Sequence, residues 1–399
     1  MTEQPSPQLQ SEDNSSETVC QPQQRVATTG ASLAKRSKSY QRWRLVLTAA
    51  QWVVEVCVMG GLLFAGWTLA LREAALRYTN NPWLIVAFYL LPVGLLLAVV
   101  SMSFSAIRSF FVDRRFGLST ESFGVWFADE IKEVLVGGAL AFVAVEVLYV
   151  FLRLFAQTWW IWAGLTFSVF LLLLIQVAPV LIFPLFYRFT RITDSEMTER
   201  LERLAKQAGK PIEGVYEVNL SRKSRAANAA LVGFGRTRRI VLADNLLDNF
   251  TLDEIEAVLA HEFGHHVHHH LIKIAIVQSA AFFGLFYAID CVMVVTSQRF
   301  AFNGPADVAN FPLIALSAAV LGLVVLPAMN AVLRRFEREA DDYVINVVGK
   351  AGSFANALHR LAQINLVDQS PSRIVEWVFH SHPAISERVE RAERAIARN

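Results

Sequence analysis

Residues 83–107 contain no charged side chain, and five other stretches of the chain are nearly as apolar. A helix must offer about 20 apolar residues to cross the hydrocarbon core of a bilayer. Lipid cannot satisfy a free backbone amide, so such a run has to be helical. Six candidate spans follow, at 45–71, 83–107, 134–152, 154–187, 274–298 and 308–333. These runs are longer than the core helices of a soluble protein. Only 18% of the 399 residues are charged, against about a quarter in soluble domains. The expected fold is a mainly α integral membrane protein with about six transmembrane helices.

Lys and Arg near the span ends set the orientation. Lys35, Arg36, Lys38, Arg42 and Arg44 precede span one, and Arg108, Arg114, Arg115 and Lys132 follow span two. The opposite loops carry only Arg72, Arg77, Arg153 and Arg299. Both termini, the 108–133 loop and the 188–271 segment are therefore expected in the cytoplasm. A bacterial inner membrane is the favoured setting, with the endoplasmic reticulum as the alternative. No cleavable signal peptide is expected, because the first apolar run begins more than forty residues in. Cys20, Cys57 and Cys291 have no metal-ligand or disulfide spacing. No basic cluster interleaved with aromatics points to nucleic acid as a partner.

The organisation expected along the chain has five parts. Residues 1–40 are polar and read as a disordered tail. Residues 41–187 hold spans one to four with the cytoplasmic loop 108–133, and 272–333 hold spans five and six. Between them, 188–271 reads as a small α+β segment, and 334–399 as a helical cytoplasmic segment packed beside it. In the α+β part, Asp194 and Ser195 can cap a helix carrying Met197, Leu201, Leu204 and Ala208 at helical spacing. Strands are expected at Val215–Leu220, Ala226–Val232 and Arg239–Leu242, with a turn at Gly233, Gly235 and Thr237. Within the spans, Glu55, Glu146, Asp290 and Asn330 suit either a polar chamber or interhelical hydrogen bonds.

The chemistry gathers at His261-Glu262-Phe263-Gly264-His265. Thr251-Leu252-Asp253-Glu254 is a capping box that opens the helix bearing it. His261 and His265 are one turn apart, so both imidazoles leave one face and can bind one metal ion. Glu262 lies about 100° round the helix and is placed to act as general base. Zinc suits two imidazoles and a carboxylate, with a fourth position left for water. A third ligand is expected from Arg335-Phe336-Glu337-Arg338-Glu339-Ala340-Asp341-Asp342-Tyr343, just after span six. There Glu337 and Asp341 share a helix face, which suits Glu337 as ligand and Asp341 as its hydrogen-bonding support. Glu339 points elsewhere. An exposed acidic face is the plain alternative, and the HExxH segment favours the ligand reading. His266, His268 and His269 read as part of a solvated histidine surface.

Further motifs occur in order: FFVDRRFGLSTESFGVWFADEIK, APVLIFPLFYRFT, NAALVGFGRTRRIVLADNLL, AVLAHEFGHH, RRFEREADDYV and SHPAISERVERA. With these, residues 45–395 resemble the CAAX prenyl protease 1 and HtpX-like zinc metalloproteases, a group of membrane gluzincins. The loop at 110–132 and the FPLF segment look closer to the prenyl protease branch. The resemblance implies a zincin-like α+β peptidase domain, one Zn²⁺ on His261, His265 and Glu337, and Glu262 as catalytic base. It also implies that Asp341 supports the site and that Asn228 and Ala229 hold the substrate backbone on an edge strand. His382 and Arg388 match residues implied to stabilise the oxyanion. The prenyl protease pattern has one more N-terminal transmembrane helix, where this chain carries its polar tail. Expected substrates are membrane-associated proteins or peptides, lipidated ones among them, with the lipid bilayer as the other partner. Quality-control proteolysis of membrane proteins is the alternative within the class. Outside it stands a non-proteolytic scaffold with a structural zinc, against which the intact Glu262 argues.

Overall fold

A computed structural model of the chain describes residues 21–233, 235–296 and 299–398. The N-terminal half is helical throughout: α1 (Gln21–Phe64), α2 (Trp67–Tyr78), α3 (Pro82–Ala106), α4 (Phe123–Leu154) and α5 (Trp159–Val177). A π-helical stretch and the short α6 (Phe183–Phe186) lead into the α+β segment. That segment holds β1 (Phe189–Arg191), α7 (Ser195–Gln207), β2 (Gly214–Val218), β3 (Ala229–Val232), β4 (Arg239–Ala243), α8 (Asp244–Asn249) and α9 (Leu252–Val267). Then come α10 (His270–Thr296), α11 (Phe311–Asp342), α12 (Ala351–Ile364), α13 (Arg373–Phe379) and α14 (Ile385–Ile396).

Among the described residues, six helical stretches are long and apolar enough to cross a membrane: Ser32–Phe64, Pro82–Asp113, Phe123–Leu154, Trp159–Phe186, His270–Thr296 and Val308–Val348. Their number and order agree with the six runs in the sequence, but their ends differ. Span one stops at Phe64, because Gly66 adopts a left-handed φ of 75° and starts the separate α2. The loop 108–133 is shorter than expected. A π-helical turn extends α3 through Asp113, and the Ser122 side chain caps α4 by accepting from Val125 N. Span six runs on as one helix to Asp342, carrying Glu337 past the apolar stretch.

The expectation of a disordered tail over 1–40 is corrected for residues 21–40. Residues 1–20 lie outside the described residues, and Gln21 onward is helical. This polar helix has tertiary partners that composition does not reveal. Tyr40 is buried, donates to Asp113 Oδ1 at 3.0 Å and rests on the Phe116 ring. Gln41 donates to the carbonyl of Leu366, beyond α12.

At the end remote from the α+β segment, Tyr89, Tyr149, Leu152, Trp159, Ile289 and Leu313 are buried together. Towards the other end, α1, α3, α4 and α11 part around a cavity of about 550 Å³ with Glu55, Glu130 and Glu133 on its wall. The four intramembrane polar residues therefore divide. Glu55 lines the cavity and accepts from Gln51, whereas Asp290 accepts from Trp159 Nε1 of a neighbouring helix at 2.6 Å. Asn330 donates to Val378 O on α13, and Glu146 is buried without a hydrogen-bond partner among the described residues.

The α+β segment has a four-stranded sheet in the order β1-β2-β4-β3, with β2 and β4 parallel and the outer pairs antiparallel. The expected strands are present, the first two shorter and the third one residue longer, and β1 is additional. Three residues with no alternating pattern give it no signature in the sequence. α7 is capped by Asp194 and packs Leu201 and Leu204 inward. One core joins Ile240, Leu242, Ile255, Leu259, Phe263, Val344, Phe354 and Val389. Segments 188–271 and 334–399 thus share one interior.

Candidate metal centre

The site is assembled where α9 lies against α11. The capping box is formed: Thr251 accepts from Glu254 N while Glu254 accepts from Thr251 N. This fixes the start of α9, and with it the angular position of His261 and His265. Close approach of α9 to α11 depends on Gly264, the residue before His265. A Cβ there would lie 3.0 Å from Ala340 Cα and 3.1 Å from Ala340 O. Ala340 stands between Glu337 and Asp341, so this contact brings His261 and His265 of α9 together with Glu337 of α11.

His261 Nε2 and His265 Nε2 are 3.2 Å apart. Glu337 faces both, with Oε2 3.3 Å from His261 Nε2 and Oε1 3.3 Å from His265 Nε2. One donor atom from each of the three residues lies within 4.8 Å of the others. Glu337 Oε2 is buried, and although His382 Nδ1 is 2.7 Å away, no donor is aligned to hydrogen-bond it. Two lone-pair nitrogens and a buried, unsatisfied carboxylate oxygen aimed at one point make a site for a cation. Two imidazoles and a carboxylate with an open side fit a catalytic metal.

The surroundings reinforce that charge. Burial alone lowers the pKa of His261, but the Asp341 and Glu337 carboxylates outweigh it and raise the value to about 9. The site thus favours positive charge. Asp341 is fully buried and accepts from His261 Nδ1 at 2.9 Å. Arg388 donates to both its oxygens, Nε at 2.9 Å and Nη2 at 2.7 Å. Glu262 is half-buried beside the ligands and makes no hydrogen bond or ion pair among the described residues.

The structure therefore brings together His261, His265, Glu337, Asp341, His382 and Arg388. His382 is exposed, whereas Arg388 is buried with two of its nitrogens on Asp341. Asn228 immediately precedes β3, an edge strand whose first residue is Ala229. The exposed Asn228 side chain accepts from Ala229 N. It is Leu231, Val232 and Gly233, further along, that line a cavity of about 520 Å³ shared with His265, His266 and His270. Its other wall is apolar apart from Gln176 and comes from α5, the π-helical stretch that follows it, Phe183 of α6, and α10.

Sequence reasoning missed several contributors. Glu339 lies outside the donor cluster but is linked to it: it contacts His270, which contacts His265. His268 and His266 are half-buried, so of the three histidines read as solvated only His269 is exposed. Arg334 Nη1 reaches the carbonyls of Glu376, Trp377 and His380, holding the turn that presents His382. The spacing Asn330, Arg334, Glu337, Asp341 along one face of α11 was the available signal.

Residues 191–396 match the model of peptidase family M48, and residues 15–188 match the CAAX prenyl protease N-terminal region of five membrane helices. The uncharacterized metalloprotease YhfN of Bacillus subtilis is 31% identical over 283 residues, 70% of this chain and 66% of that protein. CAAX prenyl protease 1 of Saccharomyces cerevisiae is 28% identical over 313 residues, 73% of this chain and 68% of that protein. These alignments take in about two thirds of each relative's length. The crystal structure of S. mikatae Ste24p superposes with a TM-score of 0.80 at 22% identity, covering 91% of this chain and 89% of that one. That likeness concerns the fold, a bundle of membrane helices joined to a small α+β segment. With a family model spanning more than half its length, the chain belongs to peptidase family M48.

Proposed function

We propose that this chain is a zinc-dependent metalloendopeptidase of membrane-associated substrates, with its site on the cytoplasmic side. The observation that carries the reading is the convergence of His261, His265 and Glu337 on one point with the free carboxylate of Glu262 beside it. Bound zinc would polarise the scissile carbonyl and acidify water. Glu262 takes the proton from water and returns it to the leaving amine. His382, exposed against Glu337, donates to the oxygen on which charge develops, and Arg388 holds Asp341 and through it His261. An extended substrate adds to edge strand β3 by backbone pairing. The apolar wall of the adjoining cavity supports a substrate that brings an apolar or lipidated group. The Lys and Arg bias of the loops supports the cytoplasmic placement.

The purified protein is expected to hold about one zinc per chain and to cleave a prenylated CAAX-type peptide. Glu262→Gln should retain the metal and lose cleavage. Unchanged cleavage in that variant overturns the mechanism. Cleavage of a destabilised membrane protein, with the prenylated peptide left intact, would move the substrate assignment to quality control.

A further inference from the structure

The two histidine ligands are held by different means. His261 has a carboxylate directly behind it, Asp341. Behind His265 stands another histidine. His269 takes a positive φ of 57° at the break between α9 and α10, which turns the chain so that His270 faces back to the site. His270 is 1% exposed, and its ring stacks on Phe336 with centroids 4.6 Å apart and planes 14° from parallel. Its Nδ1 is 3.0 Å from His265 Nδ1, and its Nε2 is 3.0 Å from Glu339 Oε2. Glu339 is anchored in turn by Arg335 Nε at 3.2 Å and Lys273 Nζ at 3.5 Å.

These contacts permit one arrangement of protons if His265 binds a metal. His265 Nε2 faces Glu337 and His261, so it must offer a lone pair, and its proton sits on Nδ1. That N–H can only donate to His270 Nδ1, which must then be bare. The proton of His270 is therefore on Nε2, where the carboxylate of Glu339 accepts it. Each member of the chain fixes the tautomer of the next, and the stack on Phe336 fixes the ring plane. Support of this kind orients a metal-bound imidazole and raises its basicity.

We propose that His270, seated on Glu339, is a positioning residue of the metal centre that sets the tautomer and orientation of His265. This rests on the metal-site reading, and the experiment separates the two. Zinc affinity of the full chain in detergent is measured by chelator competition. The Co²⁺-substituted protein supplies a visible spectrum sensitive to ligand geometry. His270→Phe keeps the ring and its stack but removes both nitrogens, and should weaken zinc about 10–100-fold and shift the cobalt bands. His270→Gln presents an acceptor and a donor at similar separation, and should recover most of the loss. Glu339→Ala, near the surface and safe for folding, should weaken zinc several-fold, and should cost nothing further in the His270→Phe background. The metal-free variants should melt with the wild type. Wild-type zinc affinity and cobalt spectrum in His270→Phe and Glu339→Ala overturn the proposal while leaving the metal site standing. Zinc binding that survives His261→Ala overturns the metal-site reading itself.

Discussion

Single residues at this centre are coupled through a buried ion pair. Arg388 and Asp341 are both buried and bonded through two nitrogens and two oxygens. Removing one charge of such a pair strands the other away from water, at a cost of about 3–5 kcal/mol. Asp341→Asn should therefore lower the melting temperature strongly in a thermal scan, although the amide oxygen can still accept from His261. The same substitution should weaken zinc in a chelator titration. His261, Glu262 and His265 were legible from their spacing alone, because one turn of helix is a local rule. Glu337 and Asp341 were legible for the same reason on α11. His270 and Glu339 were not. Their link crosses 69 residues and depends on a left-handed residue at His269 that no local pattern signals.

Between elements, the approach of α9 to α11 decides whether the ligands meet. Gly264→Ala would place a methyl about 3 Å from the backbone of Ala340, so the helices must move apart by a few tenths of an ångström. The expected result is reduced zinc affinity with a modest fall in stability, read by chelator competition and thermal melting. α9 is also tied to α7 and to the start of α12 through Glu256. Arg200 donates to its two oxygens at 2.8 Å each, and Lys350 joins the same carboxylate. Burial raises the pKa of Glu256, but Arg200 and Lys350 outweigh burial and hold it below the ordinary value. The unfolded chain then binds the proton more readily, so stability rises with pH through this window. This contribution is complete above the unfolded value of about 4.3 and is lost as pH falls through the lower folded value. Melting temperature should fall more steeply in acid for the wild type than for Glu256→Gln. The capping box made α9 legible, whereas Glu256 is unremarkable without knowing that Arg200 and Lys350 converge on it.

Across the whole molecule, the proposed ligands come from helices 72 residues apart in sequence, between His265 and Glu337, and each is continuous or nearly so with a membrane span. A metal that binds only the folded chain stabilises it by RT ln(1 + [L]/Kd). Chelation should therefore lower the melting temperature in detergent, and added zinc should restore it in proportion to the logarithm of its concentration. Six spans, a capped HExxH helix and a carboxylate beyond span six that can join it were determined by the sequence itself. Their causes are local or compositional: apolar length, helical period and side-chain caps act over one or a few turns. Tertiary structure alone decided that α11 runs unbroken into the site and that the polar N-terminal helix docks at Tyr40. It also decided that a second histidine stands behind His265. Those features depend on which surfaces meet after the chain has folded back on itself, and no window of sequence contains both partners.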